Sequence, residues 1–205
     1  MGRVHTARHI LAAVFAAALI GGANAEAAAD DTTALSGRLA HQLMALFDYR
    51  SLEPIFSDAI HKGMEDSGEG QPKCRLLLEQ AFDAELVGGE PNFEASLEAT
   101  LPSYFTIDEM RVGVRLFDGA PGELLRAAKS EPPEQLVKRI GPSAMQAAEK
   151  ELATPEAHHF EDKLEDLGAL GSATAHEFFR RIRPAALARF KQLALAAGLQ
   201  CQATE

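Results

Sequence analysis

From Leu35 onward, apolar side chains recur at three- and four-residue steps, and that period decides what the chain can become. Leu35, Leu39, Leu43, Leu46 and Phe47 form the first such stripe. This is the spacing of a helix with one buried face, not the two-residue alternation of a strand. Composition agrees: from Glu26 to the end there are 23 leucines but only nine valines plus isoleucines. Leucine loses little side-chain freedom in a helix, whereas strands favour β-branched residues. The expected fold is all-α, a multi-helix bundle of antiparallel helical hairpins with about eight or nine helices and no strand.

Residues 1–25 read as a secretory signal. Arg3 and Arg8 precede an apolar run from Ile10 to Ile20, and small residues Ala23 and Ala25 mark a cleavage point. The run is well short of the roughly 20 residues that cross a bilayer. An uncleaved anchor fits less well, because acidic residues follow at once. No cysteine follows the run, so a lipid-modified N-terminus is not expected. Residues 26–205 then suit a single helical domain, exported to the periplasm, with full secretion left open. The formal charge of −10 becomes −12 once the leader takes away two arginines and no acid. Such a balance argues against nucleic acid as a partner. Beyond the leader no segment reads as a membrane span.

Export decides how Cys74 and Cys201, the only cysteines, are read. In an oxidising compartment they most simply form one disulfide tying the C-terminal tail to the first third of the chain. Two buried thiols are the alternative; a redox pair lacks the C-x-x-C spacing.

Local signals divide the chain. Ser51 with Pro54 suits a helix start, with Leu52, Ile55, Phe56, Ala59 and Ile60 inward and Gly63 near its end. Pro72 opens a helix carrying Cys74, Leu77, Leu78, Ala81, Phe82 and Leu86, stopped by Gly88 and Gly89. Pro91 begins another, with Phe93, Leu97 and Leu101 inward. Thr106 and Glu109 stand in capping-box spacing, and Phe105 and Met110 are placed for a hydrophobic staple. A helix therefore starts at Ile107, burying Met110, Val114 and Phe117. Asp118 to Gly122 reads as a break, Gly141-Pro142 as another, and Thr154-Pro155 as a start. Gly168 and Gly171 predict a helix end, with Ser172 capping a last helix through Phe178, Phe179, Ile182, Ala186, Phe190 and Leu193. Pro184 is expected to kink it. A 48-residue internal echo, Thr106 on Thr154 and Leu116 on Leu164, is too sparse to establish a repeat.

The stretch Tyr104-Phe105-Thr106, then Glu109, Phe117 and Pro121-Gly122, resembles the hallmark segment of the domain-of-unknown-function 2059 family. The likeness covers residues 90–150 best and departs at Asp118-Gly119, where that family more often carries an aromatic and a basic residue. It implies an exported bacterial protein, helical throughout, without an established activity. Physically, every motif residue has a structural use: Thr106 and Glu109 cap, Phe105 and Phe117 pack, and Gly122 permits a turn that a Cβ would strain.

No catalytic signature is present: no G-x-S-x-G, no H-E-x-x-H, no phosphate-binding glycine loop and no calcium loop. No catalytic residue, metal ligand or cofactor is assigned. His158 and His159 stand four and three residues from Asp162, a two-ligand patch that falls short of a zinc site. Glu161, Asp162, Glu165 and Asp166 read as a solvated face. Arg180, Arg181, Arg183, Arg189 and Lys191 form a basic stretch, the leading candidate for a polar contact surface or a solvent face paired with the acids of the preceding helix. The broad apolar side of the last helix reads as core, or as a groove for an apolar ligand. The function class that survives is a non-catalytic binding or interaction role in the cell envelope, toward an envelope protein or an amphiphilic ligand. The rival is a hydrolase or metal-dependent enzyme whose site is assembled only by the fold.

Overall fold

The computed structural model describes residues 22–46, 48–67, 71–128, 133–165 and 167–201. These form nine helices and no strand: α1 (Gly22–Leu46), α2 (Tyr49–Ser67), α3 (Pro72–Leu86), α4 (Glu90–Tyr104), α5 (Ile107–Asp118), α6 (Ala120–Ala128), α7 (Pro133–Leu152), α8 (Pro155–Glu165) and α9 (Leu167–Ala196). Neighbours in space run in the order α2, α3, α9, α4, α1, α5, α8, with α6 on α5 and α7 on α6. Consecutive helices pair at α2–α3, α5–α6 and α6–α7, while the most extensive packing is between α9 and both α3 and α4, and between α1 and α4. Helices distant in sequence therefore close the bundle. The apolar run of the leader lies outside the described residues, and α1 begins three residues before Ala25, the expected cleavage point.

One core runs through the bundle. Leu39 and Leu43 of α1, Leu97 and Leu101 of α4, Met110 and Phe117 of α5, Phe160 of α8, and Phe178 and Ile182 of α9 are all buried in it. A smaller cluster joins Cys74 and Ala81 of α3 to Phe190 of α9.

Several boundaries follow the sequence grammar closely. Thr106 Oγ1 accepts from the Glu109 N–H and the Glu109 carboxylate accepts from the Thr106 N–H, a complete capping box. Phe105 and Met110, the two halves of the expected staple, are both buried. Thr154 Oγ1 accepts from the Ala157 N–H at 3.3 Å and starts α8. Gly141, at φ 77° and ψ 163°, breaks α7 at the expected place, in a conformation an L side chain rarely adopts.

Others differ. The second helix starts at Tyr49 rather than Ser51: Asp48 Oδ1 accepts from the Arg50 N–H, taking the capping role, and the Ser51 hydroxyl donates to the Asp48 carbonyl. That helix continues through Gly63, and its expected inner residues Ile55 and Ala59 are exposed. Gly168 and Gly171 do not end a helix and Ser172 does not cap one; all three lie inside α9, which also continues through Pro184. Tertiary packing along the Leu170, Thr174, Phe178, Ile182 stripe outweighs the poor helix propensity of two glycines.

Gly122 is needed for a close approach, not for an unusual φ. A Cβ there would sit 1.9 Å from the Phe117 carbonyl oxygen. That carbonyl would ordinarily accept from the residue four positions on, which is Pro121 and has no N–H. Arg126 supplies the missing donor, its Nη1 lying 2.8 Å from the Phe117 oxygen.

Cys74 and Cys201 are bonded, with their Cα atoms 5.7 Å apart across a sequence separation of 127 residues. Closing a loop of that length removes denatured-state entropy worth about 5 kcal/mol in the chain-entropy model. Arg189 of α9 reinforces the same α3–α9 contact by donating to Glu85 at 2.9 Å. Replacing both cysteines by serine is expected to lower the thermal midpoint by roughly 5–15 °C while keeping the helical circular dichroism spectrum. An unchanged midpoint would show that the bridge does not constrain the chain.

Candidate functional site

Among the described residues, the packing of the core leaves a gap. Where α1, α2, α4 and α9 meet, a half-enclosed chamber of about 280 Å³ is lined by Leu43, Leu52, Phe56, Phe93, Leu97, Leu170, Gly171 and Thr174. No charged side chain lines it. Its one hydroxyl is already committed. Thr100 Oγ1 lies 3.0 Å from the Ser96 and Leu97 carbonyls, which only accept, so Thr100 donates there and receives the Thr174 hydroxyl at 2.9 Å. A void lined this way gives water no partners and stays dry.

The helix α2 forms the outer wall, and aromatic rings fix its position. Phe56 meets Phe93, Phe178 and Phe179 at centroid distances of 5.6, 5.4 and 5.6 Å. At its start, the Tyr49 hydroxyl donates to the Leu86 carbonyl at 3.0 Å. Burial, then the negative charges of Glu53 and Glu90, push this phenol up to about 12, so it remains a donor throughout the physiological range. On the side facing α3, Asp83 receives the Ser57 hydroxyl at 2.7 Å and lies 3.1 Å from His61 Nε2. These are the residue types of a hydrolase triad in the wrong order: the carboxylate stands between serine and histidine, and no serine–histidine hydrogen bond activates the hydroxyl. The cluster fastens α2 to α3.

The Tyr104–Gly122 motif forms a clamp at the opposite end. Both carboxylate oxygens of Glu109 lie 2.8 Å from Lys163 Nζ, and Oε1 is 2.9 Å from His159 Nε2. The Lys163 ammonium also donates to the Tyr104 carbonyl, the Tyr104 hydroxyl donates to the Lys163 carbonyl, and the ammonium stands 5.7 Å from the centre of the Phe105 ring. Burial raises the Glu109 carboxyl, but hydrogen bonds from Lys163 and from the Thr106 N–H and hydroxyl overcome it and hold the group at about 2. Polar partners thus do surround Glu109, and they came from α8, which the local sequence does not reveal. They saturate the carboxylate and leave it no free lone pair with which to take a proton from a substrate.

The remaining sequence candidates are dispersed. His158 faces Glu161 within α8, and no cluster of three or more metal-ligating side chains exists among the described residues. In the basic stretch, Arg180 and Arg181 both bind Glu177 of their own helix and Arg189 binds Glu85. The expected partners, the acids of the preceding helix, are not used among the described residues. Arg183 and Lys191 are exposed and make no ion pair among the described residues. The sequence marks Leu43, Leu52, Phe56, Phe93 and Leu97 of the lining as inward-facing, but singles out neither Leu170 nor Thr174. The signal for them was present, since Leu170 and Thr174 extend the four-residue stripe of Phe178 and Ile182 toward the N-terminus.

The chain matches no protein-family model, no curated protein and no solved structure.

Because Glu109 titrates lower in the folded chain than its ordinary value of 4.5, its contribution is fully present above that pH and disappears as pH falls toward 2. Thermal melts of Glu109→Gln and the parent are expected to differ most near neutral pH and to converge as the pH falls to about 2. A difference independent of pH would remove the ion pair as its source.

Proposed function

We propose that this is an exported, non-catalytic binding protein of the bacterial cell envelope, holding the hydrocarbon chain of an amphiphile in the chamber between α1, α2, α4 and α9. The observation that carries the reading is an uncharged chamber of about 280 Å³ whose only hydroxyl is already satisfied. A dry engineered cavity of about 150 Å³ already binds benzene, so an apolar void of this size has room for a longer chain. With no polar group free inside, the buried part of the ligand is hydrocarbon and its head group stays at the mouth.

Export is supported by the leader's basic start, apolar run and small-residue exit, and by a disulfide, which persists in oxidising compartments. No described helix is long and apolar enough to cross a membrane. The likeness of Tyr104–Gly122 to the domain-of-unknown-function 2059 family agrees with an exported helical protein, and its residues serve here to dock α5 on α8.

The test is calorimetric titration with octanoate, decanoate and myristate. Affinity is expected to rise about fourfold per added methylene until the chamber is full, at about 0.8 kcal/mol each. Leu97→Trp, which fills the chamber from α4, is expected to abolish the chain-length dependence. Binding that ignores both chain length and Leu97 would place the ligand elsewhere and end this reading.

A further inference from the structure

Gly171 stands where the sequence predicts a helix end, and α9 runs on through it. Glycine is among the poorest residues for a helix interior, because it gives up the most backbone freedom on folding. Some glycines of this bundle have a local reason. A Cβ at Gly113 would stand 2.4 Å from the Phe160 ring, and Gly141 holds a φ of 77°. At Gly171 neither reason applies. Its φ is not positive, and a Cβ built there meets no atom of the described residues within 4 Å. Gly63 and Gly168 share that freedom, but Gly171 differs from both in lining the apolar chamber.

Its place on the chamber wall is distinctive. The α1 and α4 walls are buried, and so are Leu170 and Thr174 beside Gly171 on α9. Leu52 and Phe56 of α2 are partly buried, and among the described lining residues Gly171 is the exposed one. A half-enclosed void meets solvent where its lining is exposed, which here is between Gly171 and α2. The two sides of that opening are unlike. On α2, Phe56 is held by its contacts with Phe93, Phe178 and Phe179. On α9 the gap exists because residue 171 has no side chain, and its exposed neighbours Gly168 and Ser172 are small.

We propose that Gly171 is the port of the chamber: hydrocarbon chains enter and leave past it, and a bound amphiphile lies with its head group beside it. The proposal rests on the amphiphile-binding reading above and adds the route and the direction of the ligand. A larger residue at 171 would strengthen the helix and cover the opening. Glycine keeps the passage clear and weakens the helix. A side chain laid across a passage slows entry and exit alike, so the port governs exchange rates more than equilibrium affinity.

The experiment is stopped-flow mixing of the full chain with cis-parinarate, a polyene fatty acid that fluoresces in apolar surroundings. The parent is expected to bind it, with the signal lost in Leu97→Trp. Gly171→Leu is expected to slow association and dissociation at least tenfold each while changing the affinity less than threefold. Ser172→Leu adds the same bulk at the next exposed position, outside the lining, and is expected to exchange at the parent's rates. Gly171→Ala is expected to raise the thermal midpoint by about 2–4 °C, the gain in helix propensity at a site where the fold does not need glycine. A parent that does not take up the probe would overturn the chamber reading and the port with it. A parent that binds, while Gly171→Leu associates as fast as the parent, would overturn the port alone, whatever happens to affinity. A lowered midpoint for Gly171→Ala would also overturn it, because the glycine would then serve the fold.

Discussion

The burial of Phe178 in the middle of α9 is the contact on which the rest of the bundle leans. Its ring lies 5.5 Å from that of Phe93 on α4 and 6.2 and 5.4 Å from those of Tyr49 and Phe56 on α2. Three helices widely separated along the chain are thereby held at one point, each aromatic pair adding about 0.5–1.5 kcal/mol to the burial itself. A long helix that receives both α3 and α4 needs such a centre, because ordering distant segments costs chain entropy that local hairpins do not incur. The disulfide from α3 to the residues beyond α9 acts on the same problem from the unfolded side.

The same junction explains the chamber. Aromatic rings meet tilted or edge-on and do not fill space as aliphatic side chains do, and Gly171 offers no side chain two turns earlier in α9. The void appears beside this aromatic cluster, with Leu52 and Phe56 only partly buried on its outer wall. Interiors are otherwise packed near crystal density, so an apolar void of about 280 Å³ costs stability that a ligand can restore. At the opposite end the motif around Thr106 and Glu109 caps α5 and fastens it to α8 through Lys163 and His159.

Helix content and many boundaries were legible because they depend on neighbours in sequence. The capping box at Thr106, the start at Thr154 and the break at Gly141 use groups within four residues of one another. The cysteine pairing was legible for a different reason: the chain has two cysteines, and a bridge between them is the simpler of the two readings the sequence offers. Errors arose where distant packing overrides local preference. Gly168 and Gly171 are helical because Leu170 and Thr174 beside them are buried in the bundle. Partner choice was illegible throughout. Nothing near Glu109 announces Lys163, and nothing near Arg189 announces Glu85.

The functional claim rests on the apolar chamber between α1, α2, α4 and α9. Native mass spectrometry of the protein purified from the cells that make it tests that claim most directly. The account predicts a fraction carrying the added mass of one amphiphile, lost on collisional activation and absent from Leu97→Trp. A bare protein mass, unchanged after incubation with extracted envelope lipids, would contradict it.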